Sequence, residues 1–192
     1  MSFNKQVLAC LGYRGNEADD NVLNAIKHAQ EELIKTCGNA KEVSGIWECK
    51  TDAQAVKFAG CEIKSKSFAM HMEGAVFVGI VAVTMGALAD MLINRYTATN
   101  MSHSVIVDAV ASIMINEYCG KACDNLATNI KLKNLKATRR FSPGYGDFSL
   151  NYQKEIITVL NADKRIGISL TEGFMLVPSK SITALVGFKE NI

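Results

Sequence analysis

The sequence predicts an α+β fold, with mixed helices and a mainly antiparallel sheet, and three observations carry that expectation. Helical and strand-like patterns are interleaved without the regular βαβ alternation of a doubly wound sheet. The stretch "GAVFVGIVAVTMGALA" (74–89) changes midway from β-branched residues to helix formers, as a fully buried strand leading into a helix would. The closing segment "GISLTEGFMLVPSKSITALVGF" reads as two strands joined by a turn at Pro178-Ser179.

The elements follow in order. "DDNVLNAIKHAQEELIKTCG" predicts a helix capped by Asp19 or Asp20, with Val22, Ile26, Ala29, Leu33 and Ile34 as its apolar stripe and Gly38 as its stop. "EVSGIWECK" and "AVKFAGCEIKS" are partly alternating and strand-like. "SFAMHMEG" predicts a short helix closed by Gly74. After the buried strand comes a helix over Ala87–Tyr96, then a long one through "SHSVIVDAVASIMINEYCGKACDNL". Val105, Ala109, Ser112, Ile113 and Asn116 share one face of that helix, with small residues permitting close approach. A further helix is expected around "NYQKEIITVLN".

Composition narrows the classes of function. A chain of 192 residues and 48% hydrophobic content suits one domain over 1–192 and is not that of a disordered chain. The uncharged run at 74–89, bounded by Glu73 and Asp90, falls short of the roughly 18–20 residues a spanning helix needs. The start "MSFNKQVLACLGY" lacks the apolar run and basic character of a secretion signal. Six scattered cysteines without such a signal read as free thiols in a reducing compartment, so the expected location is cytoplasmic. Cys119 and Cys123, spaced i, i+4 without a third ligand nearby, are expected to be spectators, and no metal site is expected. A net charge of +2 gives no global attraction to nucleic acid. The local run "KLKNLKATRR" (Lys131, Lys133, Lys136, Arg139, Arg140) is usually a solvated face. It has no aromatic interleaving of the kind nucleic-acid modules carry, and an acidic protein partner would be drawn to it through faster encounter.

The most informative stretch is "ATRRFSPGYGDF" (137–148), which holds Pro143, one of only two prolines. Ser142-Pro143-Gly144-Tyr145 fits a type II turn, with proline setting φ at the second position and glycine taking positive φ at the third. Such a turn would hold Arg140 and Tyr145 at a fixed separation and leave bare backbone at Gly144. Arginine grips a carboxylate or phosphate through parallel hydrogen bonds, and a tyrosine face attracts a cation. A ligand with both a carboxylate and a positive centre, such as S-adenosylmethionine, matches that pair. From these residues alone an ordinary surface turn beside a solvated basic run is the favoured reading.

In its surroundings the loop reads differently. "RRFSPGYGDFSL", then "QKEIITVL", then "IGISLTEGFMLVPSKSITALVGF", resembles the reactivation (activation) domain of cobalamin-dependent methionine synthase. That domain carries an Arg-x-x-x-Gly-Tyr loop, a helix, a Leu-Thr-Glu-Ser-like strand, a proline turn and a serine-rich strand. "LGYRGNEADDNVLNAI", "GIVAVTMG" and "VDAVASIMINE" resemble the small stand-alone members of the family, and the likeness is specific over 139–188. It implies a chain that binds S-adenosylmethionine over the corrin of cobalamin held by a partner protein. An electron donor such as flavodoxin reduces the cobalt, and the sulfonium methyl traps it as methylcobalamin. Carried over, Arg140 would engage the ligand by its side chain, Ser142 and Gly144 by backbone, and Tyr145 would line the reacting end. Glu117, in the long helix, would face the ligand or solvent. Glu172 in "LTEGF" would bond ribose hydroxyls, pair with Arg140, or point to solvent. The cofactors do the chemistry, so no acid–base pair or triad is required, and none is found.

Three differences from the family stand out. Its domain continues past the second strand with ligand-contacting tyrosines, whereas this sequence ends at Ile192. Its early acidic residue, which holds the ligand's amino group, has no assigned counterpart here. The chain has no Asp-x-His-x-x-Gly cobalamin loop (His28, His71 and His103 sit in other contexts, the last two read as structural) and no cysteine cluster for the zinc that activates homocysteine. The expectation is therefore an accessory subunit docking on a corrinoid protein, without nucleic-acid or membrane partners. A docking module that has lost the ligand, or an independent methyltransferase, are the alternatives.

Overall fold

A computed structural model describes residues 2–13, 18–129 and 135–190. Arg14–Glu17 of the "LGYRGNEADD" segment, and Lys131 and Lys133 of the basic run, lie outside the described residues. Two helices open the chain, α1 (Phe3–Cys10) and α2 (Asp20–Cys37). Asp19 caps α2 by accepting from the Asn21 amide, and Gly38 ends it at φ +65°. Ile26, Ala29 and Leu33 of its expected stripe are buried, but Ile34 is half exposed and lies off the packed face. The sequence reading assigned no helix at α1, although Val7 is fully buried there.

Strands β1 (Lys41–Thr51), β2 (Ala55–Phe58) and β3 (Cys61–Lys64) form a meander. The "AVKFAGCEIKS" region is thus two strands, turning at Ala59-Gly60, where both φ angles are positive. Helix α3 (Lys66–His71) leads into β4 (Ala75–Thr84), then α4 (Ala87–Thr99) and the long α5 (Met101–Asn129). After the short β5 (Leu135–Ala137) come a 3-10 turn (Leu150–Tyr152), α6 (Gln153–Leu160) and α7 (Ala162–Ile166). The chain closes with β6 (Ser169–Leu170), β7 (Leu176–Val177) and β8 (Ser181–Glu190).

The main sheet is antiparallel throughout, in the order β3-β2-β1-β4-β8-β5. The final segment departs from its expected form. β7 and β8 flank Pro178-Ser179, but they do not pair with each other. β7 pairs with β6 in a separate two-stranded ribbon, while β8 joins β4 in the main sheet.

β4 is central and buried on both faces, which explains its continuous apolar run. Phe77, Val81 and Val83 point to a core shared with α1, α2, α4 and α5; Val78, Ile80 and Ala82 point to one shared with α3, α6 and α7. Gly79 lets α5 come close, since a Cβ there would stand 2.6 Å from Leu126 Cδ2 and 2.8 Å from Phe188 Cε2. On α5, Ala109 is buried as its face requires, Ser112, Ile113 and Asn116 are half-buried, and Val105 is exposed. Among the described residues no helix is long and apolar enough to cross a membrane.

Candidate ligand-binding site

The opening loop begins as a continuation of β5 along β8. Ala137 pairs with Phe188, and Phe141 next pairs with Leu185, exchanging hydrogen bonds of 2.8 and 2.7 Å. Thr138, Arg139 and Arg140 therefore lie opposite Val186 and Gly187 alone, which is a one-residue bulge. Its effect is to re-aim side chains. Phe141 packs under the sheet against α3, stacked on Phe68 at 5.8 Å, while Arg140 reaches α5 on the other face. Past the bulge, Ser142 Oγ donates to the Thr183 carbonyl at 2.8 Å. Among the described residues no strand covers this side of β8 from Ser181 to Thr183.

The expected turn is present. Tyr145 N donates to the Ser142 carbonyl at 3.2 Å, and Gly144 has φ +95°. The Gly144 amide, expected to be open to a ligand, instead donates to the Phe148 carbonyl at 2.6 Å. The turn closes on itself, so its inward amide is already engaged. Gly144 rests on Leu150, and Tyr145 is half exposed, its ring edge-on to Phe141 at 5.6 Å.

Asp147 fixes the far end of the loop. Its carboxylate accepts from Ser65 Oγ at 2.6 Å, from the Lys66 and Ser67 amides at 2.8 and 3.0 Å, and from Ser67 Oγ, all at the start of α3. Those donors, Ser65 and Ser67 foremost, hold its pKa well below the ordinary aspartate range. Gly146 (φ +56°) has no room for a Cβ, which would stand 2.5 Å from Ser67 Oγ. His71 Nε2 donates to the Arg139 carbonyl at 2.6 Å, a structural role as expected. Because the folded-state pKa of Asp147 is depressed, its contribution is present above the unfolded value of about 3.9 and is lost as pH falls below it. Urea midpoints measured across that acid range should fall in the wild type, with a shallower fall in Asp147→Asn.

Arg140 is half-buried. Nη1 donates to the Asn116 carbonyl at 3.2 Å and Nη2 to Asn116 Oδ1 at 2.5 Å. Two of its five N–H groups are so engaged, and the guanidinium also hydrogen-bonds the Cys119 sulfur. It lines a cleft of about 550 Å³ with Gly120, Cys123, Asp124, Thr138 and Arg139. The buried thiols Cys119 and Cys123 lie beside it. A hydrogen bond from Cys123, aided by the Arg140 charge, brings the Cys119 pKa down to about 7 and pushes that of Cys123 up. All six cysteines are free.

A second cleft, of about 400 Å³, opens at the uncovered end of β8. Leu150, Gln153, Thr171, Phe174, Met175 and Ser181 line it. Phe174 has positive φ (+61°), which holds the β6–β7 turn with its side chain in this cleft. A larger cleft of about 660 Å³ lies around β1–β3 and contains none of the candidate residues.

A family profile described as "Vitamin B12 dependent methionine synthase, activation domain" matches residues 64–191, more than half of the chain. The chain belongs to that family. No curated protein sequence matches it. Among solved structures, the MetH reactivation domain bound to AdoHcy superposes with a TM-score of 0.72 at 15% identity, covering 100% of this chain and 78% of that one. At that identity the likeness establishes a shared fold, which extends over α1, α2 and most of the β1–β3 meander beyond the family match.

The activation-domain match contains Glu117, Arg140, Ser142, Gly144, Tyr145 and Glu172. They do not share one pocket. Arg140 lines the α5 cleft, and Glu117 follows its partner Asn116 on α5, half-buried and without a hydrogen bond or ion pair among the described residues. Ser142 lies between the clefts, and Gly144 backs onto the second through Leu150. Glu172 is exposed at the β6–β7 turn and does not pair with Arg140, which bonds Asn116 instead. Lys136 and Arg139 are exposed, as the solvated reading of the basic run expects.

Sequence reasoning missed Asn116 as the partner of Arg140, Asp147 as the clamp, and Phe174 and Met175 as cleft walls. "YGD" at the end of the turn and "SKS" at the start of α3 were the available signals for the clamp, but their pairing spans 80 residues of chain.

Proposed function

We propose that this chain binds S-adenosylmethionine along the uncovered edge of β8 and presents its methyl group to cobalamin on a separate corrinoid protein, such as a cobalamin-dependent methionine synthase. The observation carrying this reading is the bulge at 138–140, which directs Arg140 into a cleft with guanidinium N–H groups beyond those turned to Asn116 and Cys119. A carboxylate is the natural occupant. Beyond Ser142 the same strand edge leads to the apolar cleft at Phe174 and Met175, suited to an adenine face. A ligand with a carboxylate at one end and a purine at the other would span both.

The sulfonium supplies the methyl group, and reduced cobalamin on the partner supplies the nucleophile. The chain's own part is positioning and exclusion of water. Arg140 holds the carboxylate end, the closed turn keeps Tyr145 at the exposed rim, and Glu172 at the neighbouring turn is placed for hydroxyl contacts. Reduction needs an electron donor such as flavodoxin, drawn to the exposed Lys136 and Arg139. The setting is cytoplasmic.

The test is a remethylation assay. A corrinoid protein held in the cob(II) state is mixed with reductant, S-adenosylmethionine labelled in its methyl group, and this chain. Label should enter the corrinoid only when the chain is present. Label entering a small acceptor without any corrinoid protein would identify an independent methyltransferase. No transfer to any acceptor would leave a docking module.

A further inference from the structure

We infer that His28, Glu32 and His103 form a binding site for a borderline divalent transition metal, zinc foremost, joining α2 to α5. His28 and Glu32 are four residues apart on α2 and so share a face. His103 comes from the first turn of α5. The metal-binding atoms of all three lie within 4.8 Å of one another. The two imidazole rings are 6.1 Å apart, and neither makes a hydrogen bond among the described residues. Two unpartnered imidazoles from separate helices thus converge on one carboxylate.

Groups around the cluster hold it in shape. Tyr96 Oη donates to Glu32 Oε2 at 2.8 Å, and Arg95 Nη2 to Oε1 at 2.7 Å, fixing the carboxylate while leaving each oxygen a lone pair. The Tyr96 ring meets His103 edge-on at 4.4 Å and sets the plane of that imidazole. Such supporting contacts accompany ligating side chains in protein metal sites. Arg95 and Tyr96 account for the placement of Glu32, and Tyr96 for the plane of the His103 ring, but neither accounts for a second imidazole, His28, beside the same carboxylate.

The donor set chooses the metal. Two imidazoles and one carboxylate suit zinc and its neighbours, whereas magnesium and calcium prefer oxygen alone. Bond lengths of about 2.0–2.2 Å bring tetrahedral ligands to within about 3.5 Å of one another, a closure that rotation of the exposed His28 side chain can supply. Water would complete the coordination. His103 lies 75 residues after His28, so no linear motif marks the site.

The experiment is a cobalt(II) titration of the full chain followed by visible absorption, repeated with zinc as competitor. The expected result is one equivalent bound, with bands of nitrogen and oxygen coordination. His28→Asn and His103→Asn should each weaken binding about 10-fold or more, and Tyr96→Phe roughly 10-fold through the lost carboxylate support. His28 is exposed, so its variant keeps the fold and reports on binding alone. Absence of saturable binding would overturn the site. So would binding unchanged in both histidine variants, or a thiolate-to-cobalt charge-transfer band placing the metal on the cysteines.

Discussion

Phe148→Ala is expected to destabilise the protein by about 3–5 kcal/mol, the usual cost of truncating a buried phenylalanine. Phe148 is 1% exposed and stacks on Phe68 at 4.7 Å, with Tyr152 at 5.7 Å and Phe141 at 6.2 Å. It closes the opening loop in two ways, by its ring beneath the sheet and by its backbone, which accepts from Gly144 and donates to Tyr145. Total stabilities of about 5–15 kcal/mol make this a large fraction, and the melting midpoint should fall by roughly 10 °C. Tyr145→Ala, at a half-exposed position on the same loop, should stay within about 0.5 kcal/mol. Calorimetric or chemical denaturation separates the two. A shift below about 1 kcal/mol for Phe148→Ala would mean that the loop is not anchored through the core.

Arg140→Ala is expected to weaken S-adenosylmethionine binding by about 10- to 100-fold, the worth of a charge-assisted hydrogen bond of about 1.5–3 kcal/mol. Stability should change far less, because Arg140 is half-buried and its Asn116 contacts lie beside an open cleft. Arg140→Lys keeps the charge but loses the planar fork, so it should recover only part of the affinity. Isothermal titration of all three forms provides the comparison. Equal affinity across them would remove Arg140 from the site while leaving the fold assignment intact.

What could be read in advance follows the range of each interaction. Helix α2 was legible because Asp19 caps it and Gly38 stops it, both within a residue or two of its ends. The 142–145 turn was legible because Pro143 and Gly144 fix its backbone locally. β4 was legible because burial on both faces leaves an unbroken apolar run. The bulge that aims Arg140 was not, since it depends on the register of β5 and Phe141 against β8, about 50 residues away. Asp147 was invisible for the same reason, its partners lying at the start of α3. The separation of β6 and β7 from the main sheet likewise follows from where β8 docks on β4, not from any signal at Pro178. For the candidate site, the choice of residues came from the loop's resemblance to its family. The engagement of the Gly144 amide, the placement of Glu172 away from Arg140, and the division into two clefts were set by tertiary packing.

In the proposed function the Arg140 loop and the open Ser181–Thr183 edge of β8 hold S-adenosylmethionine. The most direct measurement is a crystal structure of the chain grown with S-adenosylhomocysteine, the stable product of methyl transfer. The expected ligand lies along β8 between Ser181 and Thr183, its carboxylate on Arg140 and its adenine against Phe174 and Met175. A ligand bound elsewhere, or both clefts empty at saturating concentration, would contradict it.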